Sequence, residues 1–498
     1  MLQQAHDYFY YFYMQSIFMQ DILDRIKDLF STFNQEEIIR IEKIPQSGSD
    51  RLYFRLHSQN QTFIATFNSN VKENKTFIEF SNQFKKINAP VPTIYAVEKN
   101  EEIYIQEDFG SESLLDVLEK KGHCSETYEL FKKSLTALAN LQVNGDARID
   151  YNQCITNKEF GQQAIMSDLL YFKYYFLDTL KIPYDKENII DEFEAISNYL
   201  SYVNLKYFMF RDFQSRNIMI KENEVFFIDY QGGMKGALQY DVASLLWQAK
   251  ANLSDEWKDN LLEHYMSCVN GLIKEELNTS VFVNQYNGYV LVRLLQVLGA
   301  YGFRGLFERK AHFLTSIPLA LRNLKSFLEN KKTGIGFPLF ESLLKQIVSE
   351  ETIQSFETQK ATEQTPLTVK IHSFSYIQNG YPEDNTKNGG GFVFDCRGIL
   401  NPGRIETYKT QSGQDKPVKD YLEQHTKMPQ FLNSIYDIVD IAVENYIQRD
   451  FESLEINFGC TGGQHRSVYA AESLNRHLKN KFGVKTEISH LNKENWVK

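Results

Sequence analysis

Cysteine is scarce and unpatterned in this 498-residue sequence: Cys124, Cys154, Cys268, Cys396 and Cys460 stand far apart. That excludes a disulfide scaffold and points to a reducing, cytoplasmic compartment. Cationic excess is absent as well. With 54 Lys and Arg against 64 Asp and Glu the formal charge is −10, so a chain-wide nucleic-acid surface is excluded and any RNA or phosphate site must be a local patch. No stretch beyond the first residues approaches a bilayer-spanning length, and no internal repeat recurs. The opening MLQQAHDYFYYFYMQSIFMQ lacks the basic start, clean apolar run and small-residue cleavage site of a secretory signal. Residues 1–19 therefore read as an extension, with Met19 open as an alternative start, and no membrane partner is expected. What is present is a globular composition, 42% apolar and 24% charged, which excludes a disordered tail, a collagen-like chain or a coiled-coil rod. The length leaves room for two or three domains. Aromatic content is high at 14%, from 37 Phe and 29 Tyr; rings can stack on sugars or bases, but core packing is their commoner use.

The pattern along the chain divides it. MQDILDRIKDLFSTF places Ile22, Ile26, Leu29 and Phe30 on one helical face. Residues 40–110 read as strands, with RLYFRLH and TFIATF forming a hairpin around SQNQ and IYIQ ending at Glu107, Asp108, Phe109 and Gly110. From Ser111 helical spacing dominates, beginning with a Ser-capped SESLLDVLEKK. It is interrupted once, where IMI and VFFID flank a KENE turn within YFMFRDFQSRNIMIKENEVFFIDYQGG. The expected architecture is an α+β two-lobed, protein-kinase-like domain over 20–335, with a small lobe at 20–110 and a helical lobe at 111–335. A helix and a polar linker occupy 336–366. Residues 367–498 alternate strands LTVKIHSFSY, GFVFDCR, LEINFGC and VKTEISH with helices, including one long helical segment from about 419 to 448. That is an α/β domain with largely parallel strands.

Two constellations carry chemistry. In FRDFQSRN, Asp212 and Asn217 have the D-x-x-x-x-N spacing of a phosphotransfer loop, and Asp229 ends the next hairpin strand. Moving a phosphoryl group from ATP needs a carboxylate to take the attacking hydroxyl's proton and oxygen ligands for Mg²⁺ nearby, and the full arrangement places all three around one point. Asp241, in YDVASLLWQAK, reads as a helix N-cap. Upstream, the turn Gly48, Ser49 and Asp50 lies between strands where backbone N–H groups reach phosphates. No Lys stands on TFIATF, the strand that carries one in protein kinases, so Lys72, Arg51 or Arg55 is left to balance the phosphate charge.

GSDRLYFRL, QEDFG, FRDFQSRNIMI and FIDYQGGMKGALQYDVASLL together resemble the aminoglycoside-phosphotransferase superfamily over about 20–330, and most closely its anomeric N-acetylmuramate and N-acetylglucosamine kinases. The resemblance implies ATP- and Mg²⁺-dependent phosphorylation of the C1 hydroxyl of an N-acetylated amino sugar in cell-wall recycling. Asp212 takes the base position, and Asn217 and Asp229 take the metal positions. Glu107 joins Gly48, Ser49, Asp50, Arg51 and Lys72 as nucleotide-binding candidates, and Gln214, Arg216 and Gln231 are the substrate-binding candidates. Branch members also lack the strand Lys. Phe210 stands where a supporting His usually precedes the Arg-Asp pair.

The second constellation is LEINFGCTGGQHRSVYAAESL. A glycine-containing loop opening a helix directs N–H groups and the helix dipole at an anion, with His465 and Arg466 adding charge. Its C-x5-R spacing also fits a cysteine-phosphatase cradle, with Cys460 as nucleophile, although no general-acid Asp can be picked out and Cys460 equally suits packing. VFDCRGILNPG, GQDKPVKDYLE and INFGCTGGQHRSVYAAE resemble the C-terminal domain of the RNase adapter RapZ across 367–498. That resemblance implies binding of an amino-sugar phosphate and, in some members, small RNA. It assigns the anion site to Cys460, Thr461, Gly462, Gly463, Gln464, His465, Arg466, Ser467 and Arg397, with Asn401, Asp415 and Lys416 on further motif positions. The family's closing His-Arg-Asp reads His490, Leu491, Asn492 here, and its N-terminal half is replaced by the kinase-like domain. The expectation is a small-molecule sugar kinase with an anion-binding second domain. The alternatives are a kinase-like regulator that binds nucleotide and sugar phosphate or RNA without transfer, and a cysteine phosphatase.

Overall fold

In the computed structural model of the protein, which describes residues 18–44, 51–308, 311–357, 359–383 and 391–497, the chain divides into two units. They are Met1–Phe303 with Ser316–Ile353, and Arg304–Thr315 with Gln354–Lys498. Within the first unit residues 18–31 form the expected helix, whose Ile22, Ile26, Leu29 and Phe30 are buried with Phe54, Leu56, Phe63, Ile103 and Ile105 of a five-stranded sheet. Its strands are β1 (Arg40–Ile44), β2 (Leu52–His57), β3 (Thr62–Phe67), β4 (Ile94–Val97) and β5 (Ile103–Glu107). All pairs are antiparallel, in the order β1-β2-β3-β5-β4. The expected hairpin is β2–β3, closed where the Ser58 N–H donates to the Gln61 carbonyl at 3.0 Å.

One expectation is corrected here. Residues 40–110 are not strands throughout, because a helix, Val71–Lys85, stands between β3 and β4. Asn70 caps it by accepting the Glu73 N–H, and Phe77, Phe80 and Phe84 recur at helical spacing and are buried. These rings pack on the other part of the unit: Phe77 stacks on Tyr230 at 4.9 Å, and Phe84 meets Phe208 edge-on at 4.8 Å.

Helices dominate from Leu114 onward. Ser113 and Asp116 form a reciprocal capping box on Leu114–Lys121. Two short antiparallel pairs interrupt the helices: β6 (Lys206–Met209) with β9 (Met234–Ala237), and β7 (Ile218–Lys221) with β8 (Glu224–Phe227). The β7–β8 turn is the predicted one, with Glu222 and Asn223 both at positive φ as a tight hairpin demands. Helix Thr279–Tyr301 packs against Gln162–Tyr175 and Leu238–Leu246. The stretch Thr279–Phe307 is long and apolar enough to cross a membrane by length and composition, which corrects the expectation that no further segment reaches that length; 56% of its apolar window is buried in the fold.

The second unit has a wholly parallel sheet of β10 (Thr368–Ser375), β11 (Gly391–Asp395), β12 (Ser453–Cys460) and β13 (Lys485–His490), ordered β11-β12-β10-β13. Val369, Ile371, Ile456 and Phe458 form one core with Leu432, Ile435, Val439 and Val443 of helix Met428–Gln448 and Leu474, Leu478 and Phe482 of helix Arg466–Phe482. The single helical segment expected over 419–448 is two helices, Lys416–His425 and Met428–Gln448, because Pro429 is confined to the first turn of the second. A short helix, Glu350–Phe356, also occupies the start of the stretch read as polar linker, with Ile353 fully buried.

Candidate active site

The β6–β9 pair sets Met209 opposite Met234, so the loop leaving β6 and the loop entering β9 run side by side. The first carries Asp212 and Asn217, the second Asp229 and Gln231. Asn217 fastens its own loop: its Nδ2 donates to the Asp212 carbonyl at 2.9 Å, and its carbonyl accepts the Ile228 N–H at 3.1 Å. The three residues named from spacing are thus brought together. Asp212 and Asp229 keep their side chains 48% and 39% exposed, whereas Asn217 is buried. Asp229 (φ +69°) and Arg211 (φ +80°) both occupy the left-handed region, where a non-glycine residue costs roughly 1–3 kcal/mol, and the surrounding bonds must hold them there. Gly233 closes the second loop, since a Cβ there would lie 2.3 Å from the Phe208 ring.

Of the three candidate cations, Arg51 reaches this place. Its guanidinium pairs with Glu73 of the Val71–Lys85 helix, donates to Tyr53 Oη at 3.0 Å and lies 3.4 Å from Asp229 Oδ1. Arg51 thus links the helix Glu73 to Asp229 across the two loops. Arg55 is committed elsewhere, donating to Asp108 at 2.7 and 3.2 Å and to the Gly110 carbonyl. Lys72 is also directed elsewhere, donating to the Ile155 carbonyl at 2.9 Å. Glu107 is tied within its own lobe, accepting from the Thr93 N–H and hydroxyl at 3.1 and 3.0 Å. Gln231 donates to Asp229 Oδ1 at 2.7 Å, and its Oε1 is buried without a partner. Gln214 turns the loop by accepting the Asn217 N–H at 2.8 Å, and Arg216 is exposed. Gly48, Ser49 and Asp50 lie outside the described residues.

Two residues have roles that spacing did not reveal. Asp241 does not cap its helix, which starts at Leu238 with Ala237 as N-cap. Instead its fully buried carboxylate accepts the N–H groups of Phe210 at 2.7 Å and Arg211 at 2.9 Å and the Gln142 amide at 2.9 Å, clamping the entry to the Asp212 loop. Burial raises its pKa to about 7. Arg293, in helix Thr279–Tyr301, is also buried, and its Nη2 lies 3.6 Å from Asp212 Oδ1. Its one signal in the sequence is a lone charge in VLVRLLQVLG. Arg211, beside the base candidate, donates to Asp168 Oδ1 and to Tyr240 Oη, both at 2.8 Å. Phe210, where a His was the ordinary residue, is fully buried against Phe213, Phe227 and Tyr230, so apolar packing replaces a polar support.

Among the described residues no three His, Cys, Asp or Glu side chains form a metal cage. Asn217 and Asp229 offer two oxygen donors on adjoining segments. That number suits Mg²⁺, which is ordinarily held by one or two protein oxygens with phosphates and water completing the shell.

In the second unit, the Cys460–Ser467 loop leaves the C-terminal end of β12 beside that of β10, where open α/β sheets gather ligands. Most of its side chains are spent on building it. Gln464 donates to the carbonyls of Gln411 (2.8 Å), Lys409 and Val497. Burial lowers the His465 pKa, and its Nε2 sits 2.8 Å from the Tyr408 carbonyl, so that nitrogen carries the proton. Arg466, also buried, donates to the carbonyls of Ile399 (2.8 Å) and Arg397 (3.1 Å) and to Thr461 Oγ1 (3.3 Å). The Cys460 thiol is 3% exposed, accepts the Gly463 N–H at 3.2 Å and contacts Ser467 Oγ at 3.2 Å. That is the setting of a packed thiol. Gly463 has φ +61°, and a Cβ there would meet Asn492 Cβ at 2.9 Å. Asn492 donates to the Gly462 carbonyl at 2.7 Å and Trp496 to that of Gly463 at 2.9 Å, so the departure at 490–492 supplies a support that spacing did not reveal.

Thr461 and Gly462 are exposed, and among the described residues no side chain caps the first turn of helix Arg466–Phe482. Arg397 is held beside Tyr376, 4.0 Å over its ring, by Asp395. Asn401 and Asp415 pin neighbouring turns by accepting the Gly403 and Ser412 N–H groups, and Lys416 pairs with Asp420.

Comparison with known proteins matches residues 40–271 to the family described as Phosphotransferase enzyme family and 367–494 to the RapZ C-terminal domain. A nucleotide-binding protein of Caldicellulosiruptor bescii is 33% identical over 184 residues, covering 37% of this chain and 60% of that protein. A protein of the same description from Caldicellulosiruptor saccharolyticus is 31% identical over 220 residues, covering 40% of this chain and 72% of its own. Among solved structures, a choline kinase from Cryptosporidium parvum aligns over 66% of this chain and 99% of its own, at 15% identity and a TM-score of 0.45.

Proposed function

Since the chain belongs to the phosphotransferase enzyme family through residues 40–271 and to the RapZ C-terminal-domain family through 367–494, we propose that it is an ATP- and Mg²⁺-dependent kinase of an N-acetylated amino sugar. The proposed product is a sugar 1-phosphate for cell-wall sugar metabolism, made in the cytoplasm. The observation that carries the reading is the convergence of Asp212, Asn217 and Asp229 with the Arg51–Glu73 pair at one place. Asp212 accepts the proton of the sugar hydroxyl as its oxygen bonds to the γ-phosphorus and ADP departs. Asn217 and Asp229 would hold Mg²⁺, which when bound neutralises charge on the phosphate oxygens. Arg51 faces the same phosphates and stands in for the absent lysine, while Gln231 and Arg216 are available to the acceptor.

The second unit, on this reading, binds a sugar phosphate at the Cys460–Ser467 loop through backbone N–H groups and the helix N-terminus, with Arg397 at its rim. The buried Cys460 thiol and the internal commitments of Arg466 favour holding an anion over thiol chemistry. Purified protein with ATP, Mg²⁺ and N-acetylglucosamine or N-acetylmuramate should yield an acid-labile sugar phosphate. No turnover on any amino sugar would end this reading.

A further inference from the structure

We propose that Arg293 is a positioning residue for Asp212, restraining and charge-balancing the carboxylate that takes the acceptor's proton; this rests on the phosphotransfer reading above. The argument starts from cost. Arg293 lies among Val290, Leu291, Val292, Leu294 and Leu295, all buried, on a helix that packs inside the first unit. A guanidinium taken out of water in such surroundings is tolerated only when it is paired, and an apolar residue would serve packing better.

The pairing is specific. Arg211 donates to the Tyr240 hydroxyl at 2.8 Å, and the Arg293 guanidinium lies 5.8 Å from the centre of the same ring. Arg211 is already hydrogen-bonded to Asp168 at 2.8 Å. Asp212 is therefore the carboxylate that answers Arg293. Among the described residues Arg293 is also the one cation within ion-pair distance of Asp212, at 3.6 Å. That separation is too long for a hydrogen bond, so it attracts the carboxylate without occupying it. The backbone of the loop is fixed by Asn217 and Asp241, but the Asp212 side chain, half exposed, has no other ionic restraint there. Arg293 further donates to Gln296, which fixes the guanidinium itself.

A double-mutant cycle on the full-length protein tests this. Arg293→Met, Asp212→Asn and the double variant are compared by thermal melting, a readout that needs no substrate. Each single change should lower Tm, and the double variant should melt above the sum of the two losses, because the second change removes the charge the first left unpaired. Kinetically, Arg293→Met should lower kcat roughly 10- to 100-fold with both KM values within about twofold, and Arg293→Lys should recover part of the loss. Additive melting shifts would overturn the pairing. A loss confined to acceptor KM would overturn the positioning role and make Arg293 a substrate contact. Coupled melting in a wild-type protein that phosphorylates no acceptor would instead sink the kinase reading, and the positioning role with it, while the ion pair stood.

Discussion

The two loops that handle charge in this protein are built in opposite ways. Around Asp212 the backbone is clamped by buried Asn217 and Asp241 while the carboxylates of Asp212 and Asp229 stay open to solvent. In the Cys460–Ser467 loop the side chains of Gln464, His465 and Arg466 are consumed by carbonyls, and Thr461 and Gly462 are the exposed residues. A site that moves protons and phosphoryl groups needs titratable side chains at its surface. A site that only holds an anion can do so with fixed N–H dipoles. The chemistry proposed for each loop matches the part of the chain it leaves exposed.

The most damaging change to the first pattern should be Asp212→Asn, which removes the proposed proton acceptor and is expected to lower sugar-phosphate formation about 10²- to 10⁴-fold, measured by single-turnover assay with ATP. Arg51→Met should follow, with kcat/KM for ATP falling roughly 10²-fold because the cation proposed to face the phosphates is lost. Third comes Asp241→Asn. An amide cannot accept from all three N–H donors, so unfolding free energy should drop about 1–3 kcal/mol.

This variant also carries a pH signature. Asp241 in the folded protein keeps its proton up to about pH 7, against about 3.9 in an unfolded chain. The folded state binds more protons between those values, so the stability it draws from this group is full below about pH 4 and is lost as pH rises toward 7. The Tm gap between wild type and Asp241→Asn should narrow over that interval. A gap that widens would contradict the burial argument.

Gly463→Ala tests the second pattern: a left-handed alanine costs roughly 1–2 kcal/mol, and crowding against Asn492 adds to it. Sugar-phosphate binding should weaken in calorimetry while phosphotransfer persists. Smallest of all, Lys72→Ala should change kcat less than about threefold, since its ammonium is bonded to the Ile155 carbonyl and not turned toward Asp229.

Local order was widely legible before any fold was known. The β2–β3 and β7–β8 hairpins, the helix over 18–31 and the alternation of strand and helix after residue 367 follow from period and turn residues, which act over a few positions. The strands on either side mask the helix Val71–Lys85, although Phe77, Phe80 and Phe84 repeat at helical spacing. Arg51 was distinguishable from Arg55 and Lys72 only once each had a partner.

By itself the sequence determined the spacing of Asp212, Asn217 and Asp229 and the loop-then-helix design at Cys460–Ser467, since both lie within one strand-turn unit. Tertiary structure alone decided which charges answer which. Asp241 clamps a loop 30 residues before it, and Arg293 meets Asp212 from a distant helix. Arg51 joins Glu73 and Asp229 across 22 and 178 residues. Pairing of buried charge depends on distance and exclusion of water, and neither is written in the order of neighbouring residues.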